Sequence, residues 1–161
     1  MSRLDNMIRR LTAQRDILNS IRGLLYDDGN KGPIIEFGLG NGRTYDHLRE
    51  CFPERRIIVF DREIRSFSAS TPSKQDFVLG EISESGLAFQ GIGAALVHAD
   101  IGSGHDDIDA VTLVWLPTLV VSLLGAGGIA ASGLPLEVPT LVPIPLPEGI
   151  RPGRYFLYRK A

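Results

Sequence analysis

The sequence predicts an α/β protein in which a mostly parallel central sheet lies between layers of helices. Three observations lead to this prediction: short apolar runs that end near a polar residue, helical patterns between those runs, and three glycines at alternate positions after the first run. Strands that alternate with helices are typical of a parallel sheet with right-handed crossovers. We expect the first four strands near residues 33–37, 56–60, 76–80 and 94–99. We expect the helices between them near residues 43–52, 63–69 and 83–90.

The N-terminal segment has the apolar spacing of one or two amphipathic helices over residues 3–25, and we expect Asp27, Asp28 and Gly29 to end it. This segment carries five arginines but two aspartates. A solvated basic face is the ordinary explanation of such a pattern, although the helix could also cover a ligand site and attract an anionic small molecule.

The loop after the first strand predicts a nucleotide-binding site. It contains Gly38, Gly40 and Gly42, and residues 43–48 then have the character of a helix start. Glycine tolerates positive φ and lets the main chain approach a ligand closely. A tight turn without a ligand is the alternative, because one glycine motif is weak evidence by itself.

The second strand strengthens the nucleotide hypothesis because it ends in Asp61. In nucleotide-binding βαβ units, an acid about 20 residues beyond the glycines accepts hydrogen bonds from ribose hydroxyls. We therefore favour a ribose-binding role for Asp61 over that of a solvated carboxylate.

Residues 36–42, Glu-Phe-Gly-Leu-Gly-Asn-Gly, resemble the first motif of the class I S-adenosylmethionine-dependent methyltransferases. That motif is an acid, any residue, and then glycines at alternate positions. A nicotinamide or flavin motif would prefer a small residue where Arg43 stands. The resemblance implies a three-layer Rossmann-like methyltransferase fold with an antiparallel C-terminal strand, and S-adenosylmethionine as the cofactor. The chain looks like a small bacterial single-domain member of the family. It does not identify the methyl acceptor.

The resemblance also implies roles for residues at the strand ends. Glu36 and the glycine loop would face the methionyl end of the cofactor, Glu81 and Ile82 would meet the adenine, and Asp100 would lie near the transferred methyl group. An exposed loop glutamate is an almost equally good explanation of Glu81. The predicted cofactor-binding residues are Glu36, Phe37, Gly38, Gly40, Gly42, Thr44, Asp61, Arg62, Glu81, Ile82 and Asp100.

Methyl transfer requires mainly alignment and desolvation from the protein, with a base in some cases. The candidates for a base are Asp100 and His105, whereas Asp106 or Asp107 is more typical of a helix N-cap. We expect His98 to pack within the sheet. Asp100 with Asp106 or Asp107 could bind magnesium, but the full pattern of metal-dependent relatives is missing, so we predict no metal site.

The stretch from Ala110 to Ala131 has no charged residue and is long enough to span a bilayer. Because Pro117 and several glycines and hydroxyl residues interrupt it, we predict instead a buried helix over residues 106–124, with a possible bend at the proline, and then a strand at 128–132. The β-branched residues near its start leave a strand there as a competing interpretation.

The segment between residues 134 and 152 contains six prolines, which exclude a long central strand or helix. A short extended piece remains possible at residues 141–142. We expect the chain to close with a strand at residues 155–159.

At 161 residues the chain suits one methyltransferase domain over residues 1–161, with an N-terminal helical cover at 1–28 and a proline-rich irregular segment at 133–153. The net charge of −2 gives no indication of a nucleic-acid partner. The single cysteine and the lack of an apolar leader predict a cytoplasmic protein. We expect a small-molecule acceptor, which could be anionic, no membrane partner, and a homo-oligomer whose partner subunit completes the pocket.

Two other functions remain open from the sequence. The first is a nicotinamide-dependent oxidoreductase, against which the lack of room for a second substrate domain counts. The second is a non-catalytic cofactor-binding scaffold on the same fold, because a fold does not determine function.

Overall fold

A sheet of seven strands runs through the part of the chain that the computed structural model describes, residues 2–27 and 29–161. The strands are β1 (Ile34–Phe37), β2 (Ile57–Asp61), β3 (Phe77–Leu79), β4 (Ala94–Ala99), β5 (Leu124–Ser132), β6 (Leu141–Pro143) and β7 (Phe156–Lys160). The helices are α1 (Arg3–Asp27), α2 (Arg43–Cys51), α3 (Ile82–Ser85) and α4 (Asp106–Leu123), with short 3₁₀ helices at Ser68–Ser70 and Gly86–Phe89. Asp28, which was predicted to help end the first helix, lies outside the described residues.

The strand order is β3-β2-β1-β4-β5-β7-β6, which confirms the mostly parallel sheet. The pairs β1–β2, β2–β3, β1–β4 and β4–β5 are parallel, and β7 runs antiparallel between β5 and β6. The chain moves outward from β1 through β2 to β3 and then returns to place β4 on the other side of β1. In open α/β sheets a ligand site lies at the carboxyl ends of the strands where the order reverses, which is here between β1 and β4.

Helices cover both faces of the sheet because alternate strand residues point to opposite sides. Ile34 of β1 packs with α1 and α2, whereas Ile35 and Phe37 pack with α4. All four residues of β1 are buried, as are all six of β4. Burial on both faces explains why these strands are apolar in the sequence apart from Glu36 and His98.

The helix predicted over residues 63–69 is wrong. The structure has an irregular segment there, followed by the 3₁₀ helix. Ile64 and Phe67 are exposed, so a helix would bury no apolar face.

The other elements lie close to their predicted positions, with two differences. The helix expected at 83–90 becomes 3₁₀ from Gly86, where a Cβ would lie 2.8 Å from Cδ2 of Leu119 on α4. The fifth strand begins at Leu124, four residues earlier than expected, immediately after α4. There the Lys160 ammonium donates to the carbonyls of Val121 and Leu124 at 2.8 and 2.7 Å. These bonds satisfy carbonyls that the end of a helix leaves without partners.

The uncharged stretch from Ala110 to Ala131 forms the greater part of α4 and then β5, as predicted, and Pro117 lies inside the helix. Of the helices that the structure describes, none is both long and apolar enough to cross a membrane.

Candidate functional site

The carboxyl ends of β1, β2 and β4 open into two neighbouring cavities that together form one groove. The smaller cavity, of about 300 Å³, lies between α1 and the loop after β1. The larger, of about 860 Å³, lies between that loop, α3 and α4. Gly38, Gly40 and Asp100 line both cavities. The groove therefore crosses the glycine loop at the point where the strand order reverses.

The glycine loop has the backbone conformation that its sequence predicts, with φ of 88° at Gly38, 51° at Gly40 and 84° at Gly42. The three glycines differ in their surroundings. A Cβ on Gly42 would lie 2.5 Å from the Ser70 carbonyl oxygen, whereas a Cβ on Gly40 would meet no atom of the described residues within 4 Å. Gly42 thus allows two protein segments to approach each other, and Gly40 leaves room on the side of the groove.

Asp61 ties the end of β2 to this loop. Its Oδ2 accepts hydrogen bonds from the amides of Leu39 at 2.7 Å and Gly40 at 3.1 Å, while its Oδ1 accepts from the Arg62 amide at 2.6 Å. The carboxylate also lines the larger cavity. It can therefore hold the loop in place and still present oxygen lone pairs to a ligand.

Glu36 and His98 form a buried pair beneath the smaller cavity. Their side chains are 1% and 0% exposed, and Glu36 Oε2 lies 2.7 Å from His98 Nδ1. The Thr44 hydroxyl donates to Oε1 of the same glutamate at 2.5 Å. Burial opposes a charged imidazole, but the attraction of the Glu36 carboxylate outweighs it and raises the pKa of His98 above its ordinary value.

Tyr155 extends this pair toward Asp100. Its hydroxyl lies 3.5 Å from His98 Nε2, and the two rings are stacked with centroids 6.1 Å apart. Burial, together with the nearby Asp100 carboxylate, raises the pKa of the Tyr155 phenol far above its ordinary value. The phenol therefore stays protonated and can act as a hydrogen-bond donor within this cluster.

Helix α1 closes the smaller cavity over Asp100. The Gln14 amide donates to Asp100 Oδ2, and the Arg10 guanidinium lies 3.6 Å from the same oxygen. Met7 and Leu11 complete the wall that α1 contributes. The N-terminal helix thus forms part of the groove itself.

The far end of the larger cavity combines charged and apolar side chains. Arg62 Nη1 and Glu81 Oε1 lie 3.7 Å apart there, and both side chains are exposed. Ile82, Ile101 and Trp115 supply apolar surface nearby. This end can accept a flat, partly polar group between apolar side chains.

The structure brings most of the predicted site residues to the groove, but three of them line neither cavity. The Phe37 ring packs edge to face on Phe60 in the core, with centroids 5.4 Å apart. Gly42 lies at the start of α2. His105 is the exposed N-cap residue of α4.

The N-cap prediction for Asp106 or Asp107 is wrong, because both lie in the first turn of α4, after the N-cap residue. Instead Asp109 accepts hydrogen bonds from the amide and hydroxyl of Ser103 at 2.7 and 2.8 Å. Both bonds lower the pKa of Asp109, and the bond from the Ser103 main-chain amide has the larger effect. Asp107 lines the larger cavity. Within residues 2–27 and 29–161, no group of three or more potential metal ligands occurs.

Sequence reasoning missed the partners of Glu36 and Asp100. His98 lies directly opposite Glu36 in the parallel register of β1 and β4. A histidine inside an otherwise apolar buried strand was a usable signal, because such a side chain requires a buried partner. By contrast, Gln14 and Tyr155 gave no comparable signal, since helices and C-terminal strands carry these residue types for many reasons.

The family model and the solved structures indicate the same family. A family model described as S-adenosyl-L-methionine methyltransferase matches residues 1–160. The structure is similar to the crystal structure of an S-adenosyl-L-methionine methyl transferase from Silicibacter pomeroyi DSS-3, with 37% sequence identity and a TM-score of 0.89. That alignment covers 100% of this chain and 99% of the other. No curated protein matches the chain.

More distant structures share the fold. An SAH-bound methyltransferase from Podospora anserina is 15% identical with a TM-score of 0.61, over 100% of this chain and 80% of the other. A 1,6-didemethyltoxoflavin-N1-methyltransferase from Burkholderia thailandensis is 15% identical with a TM-score of 0.56, over 90% and 78%.

Proposed function

The chain belongs to the S-adenosyl-L-methionine methyltransferase family, and we propose that the groove across its glycine loop holds the cofactor for methyl transfer to a small acceptor. The fold is the Rossmann-like methyltransferase fold. The chain is a methyltransferase that uses S-adenosyl-L-methionine, and nothing in the comparisons supports the nicotinamide-dependent oxidoreductase.

This proposal rests on the shape of the groove, which consists of two cavities that share Gly38, Gly40 and Asp100. An extended ligand can lie across the loop with one end in each cavity, and Gly40 leaves open space at the crossing point. When bound, S-adenosyl-L-methionine supplies a methyl group that its sulfonium already activates. The chain itself has to bind, orient and desolvate the reacting groups.

We assign the methionyl end to the smaller cavity, which Glu36 and Thr44 line. The buried Glu36 carboxylate keeps a fixed orientation through Thr44 and His98, so it can attract a positively charged group without rearranging. Phe37 and Gly42 contribute by shaping the loop rather than by contact.

The adenosine end then occupies the larger cavity. Asp61 provides acceptors for ribose hydroxyls, and Arg62, Glu81 and Ile82 surround the base. Several of these side chains are exposed in the chain alone, which suits groups that become covered when a ligand binds.

Asp100 is the candidate for the residue nearest the transferred methyl group, because it lies where the two cavities meet. Its bonds to α1 favour a role in alignment, and it can also accept a proton from the acceptor. His105 has weaker support as a base because it lies outside both cavities.

Isothermal titration calorimetry with S-adenosylhomocysteine tests the assignment. We expect micromolar binding, abolished in Gly40→Val and weakened about tenfold in Asp61→Asn, since a charged hydrogen bond contributes roughly 1.5 kcal/mol. Asp106→Asn is the matched control, because Asp106 is exposed and lines neither cavity. Absence of binding to the wild-type protein would overturn the proposal. Reduced nicotinamide dinucleotide should not bind.

We also propose that residues 1–161 act as one methyltransferase domain, with the segment 1–28 as its helical cover, in a cytoplasmic homo-oligomer. Exposed apolar side chains on the first turns of α1 support an oligomer: Leu4, Met7, Ile8 and Leu11. Their spacing places them on one side of the helix. Light scattering after size-exclusion chromatography measures the mass, and a monomer at micromolar concentration would contradict this proposal.

A further inference from the structure

A third cavity, of about 380 Å³, lies between α1 and the turn at residues 149–154. It adjoins the methionyl side of the groove, because Arg10 lines both that cavity and the smaller one. The Arg10 guanidinium reaches to within 3.6 Å of Asp100. The third cavity therefore lies close to Asp100, which lies where the two cavities of the groove meet.

The third cavity is strongly basic. Arg9, Arg10, Arg151 and Arg154 line it, and Asp16 is the acidic residue in its wall. Asp16 already pairs with Arg15 at 2.9 Å. Arg10 lies 3.6 Å from Asp100, but the other three arginines have no carboxylate partner among residues 2–27 and 29–161, so the cavity keeps an excess of positive charge.

Arg154 provides the most specific observation. Its Nε and Nη2 atoms are buried and have no hydrogen-bond partner among the described residues 2–27 and 29–161. The guanidinium lies over the Tyr155 ring, 5.6 Å from its centroid. Burial without acceptors is unfavourable for a charged group, and the Arg154 charge has no ion-pair partner among the described residues. Arg154 also lines the third cavity, so an anion held there would stabilise the guanidinium by compensating its charge.

We propose that this cavity binds the anionic group of the methyl acceptor, a carboxylate or a phosphate. The inference rests on the proposed function and names the substrate class for it. The planar fork of a guanidinium matches both oxyanions, and Arg151 adds charge at the rim. Ile8, Ala13 and Ile150 offer apolar contact to the carbon skeleton. Arg10 then stands between the bound anion and Asp100.

Calorimetric titration of the protein saturated with S-adenosylhomocysteine tests the proposal, with inorganic phosphate and benzoate as separate probes. We expect millimolar binding of at least one of them, and the comparison decides between phosphate and carboxylate. Arg154→Gln should weaken that binding at least tenfold, and Arg151→Gln about threefold. Benzamide, the neutral counterpart of benzoate, should bind more weakly than benzoate.

Arg65→Gln is the matched control, because Arg65 is an exposed arginine paired with Glu63 and lies outside the cavity. It should leave anion binding unchanged. Binding of neither anion to the wild-type protein, or equal binding by Arg154→Gln and wild type, would overturn the inference. Arg151→Gln gives an independent measurement if Arg154→Gln folds poorly, because Arg151 is exposed.

The same experiment separates this inference from the proposed function. Both arginine variants should retain the wild-type affinity for S-adenosylhomocysteine. If the cofactor product binds and the anions do not, the acceptor site is wrong and the methyltransferase groove stands. If the anions bind at Arg154 and S-adenosylhomocysteine does not, the anion site stands and the proposed cofactor groove fails.

Discussion

Replacing His98 by leucine should destabilise the protein strongly, because it leaves the Glu36 carboxylate buried without its charged partner. Glu36 is 1% exposed, and among the residues that the structure describes only Thr44 would still donate a hydrogen bond to its side chain, at Oε1. Removing one member of a buried ion pair costs about 3–5 kcal/mol. Since domains of this size are stable by about 5–15 kcal/mol, the variant should lose a large part of its free energy of unfolding.

Urea unfolding followed by circular dichroism measures this loss. The His105→Gln variant is the control, because His105 is exposed and should change stability by less than about 0.5 kcal/mol. The double variant, Glu36→Leu with His98→Leu, should be less destabilised than the sum of the two single variants, because it leaves no buried charge. A loss below about 1 kcal/mol in His98→Leu, or simple additivity in the double variant, would refute the reasoning.

The same pair predicts a pH dependence of stability. The pKa of His98 is raised in the folded protein, so the folded state binds a proton more tightly than the unfolded chain does. The stabilisation is fully present below the ordinary histidine pKa of about 6.5 and is lost as the pH rises through the folded value. Unfolding curves at increasing pH should therefore show falling stability in the wild type, and His98→Leu should lack this component.

The remaining predictions concern the loop and the end of α4. Gly42→Ala should lower the free energy of unfolding by more than about 2 kcal/mol, because positive φ is unfavourable for alanine and its Cβ would meet Ser70 at 2.5 Å; equal unfolding midpoints would contradict this. Gly40→Ala should lose only about 1 kcal/mol, but its affinity for S-adenosylhomocysteine should fall, as calorimetry can measure. Lys160→Met should lower stability by about 1.5–3 kcal/mol in urea unfolding, because two helix-end carbonyls lose a charged donor. A change below about 0.5 kcal/mol would contradict this and show that water replaces the donor.

The strands and the glycine loop could be predicted from the sequence because their causes are local. A strand buried on both faces requires a mostly apolar run, and β1, β2 and β4 show one, interrupted by Glu36 in β1 and by His98 in β4. The loop requires positive φ at alternate residues, which glycine adopts most easily. The position of Asp61 beside the loop could also be predicted, because in nucleotide-binding βαβ units an acid lies about 20 residues beyond the glycines.

The contacts over long distances in sequence could not be predicted from local patterns. Gln14 reaches Asp100 across 86 residues, and His98 lies 57 residues from Tyr155. These contacts depend on how helix α1 and strand β7 dock on the finished sheet. The failed helix at residues 63–69 has a similar origin, because no element in the described part of the chain covers Phe67, which remains 80% exposed.

The distribution of charge between the cavities gives the proposed functions a common physical basis. The groove contains the carboxylates of Glu36, Asp61 and Asp100, which suit a positively charged sulfonium cofactor. The third cavity is lined by arginines and suits an anionic acceptor. Arg10 belongs to both regions and pairs loosely with Asp100 at 3.6 Å. A cationic cofactor and an anionic acceptor bound in adjoining cavities do not repel each other. The positive charge of the sulfonium is lost during methyl transfer, and this loss of charge is favoured where water is excluded. Helix α1 lines both the acidic groove and the basic third cavity. It therefore covers the groove and also separates the binding site of the cofactor from that of the acceptor.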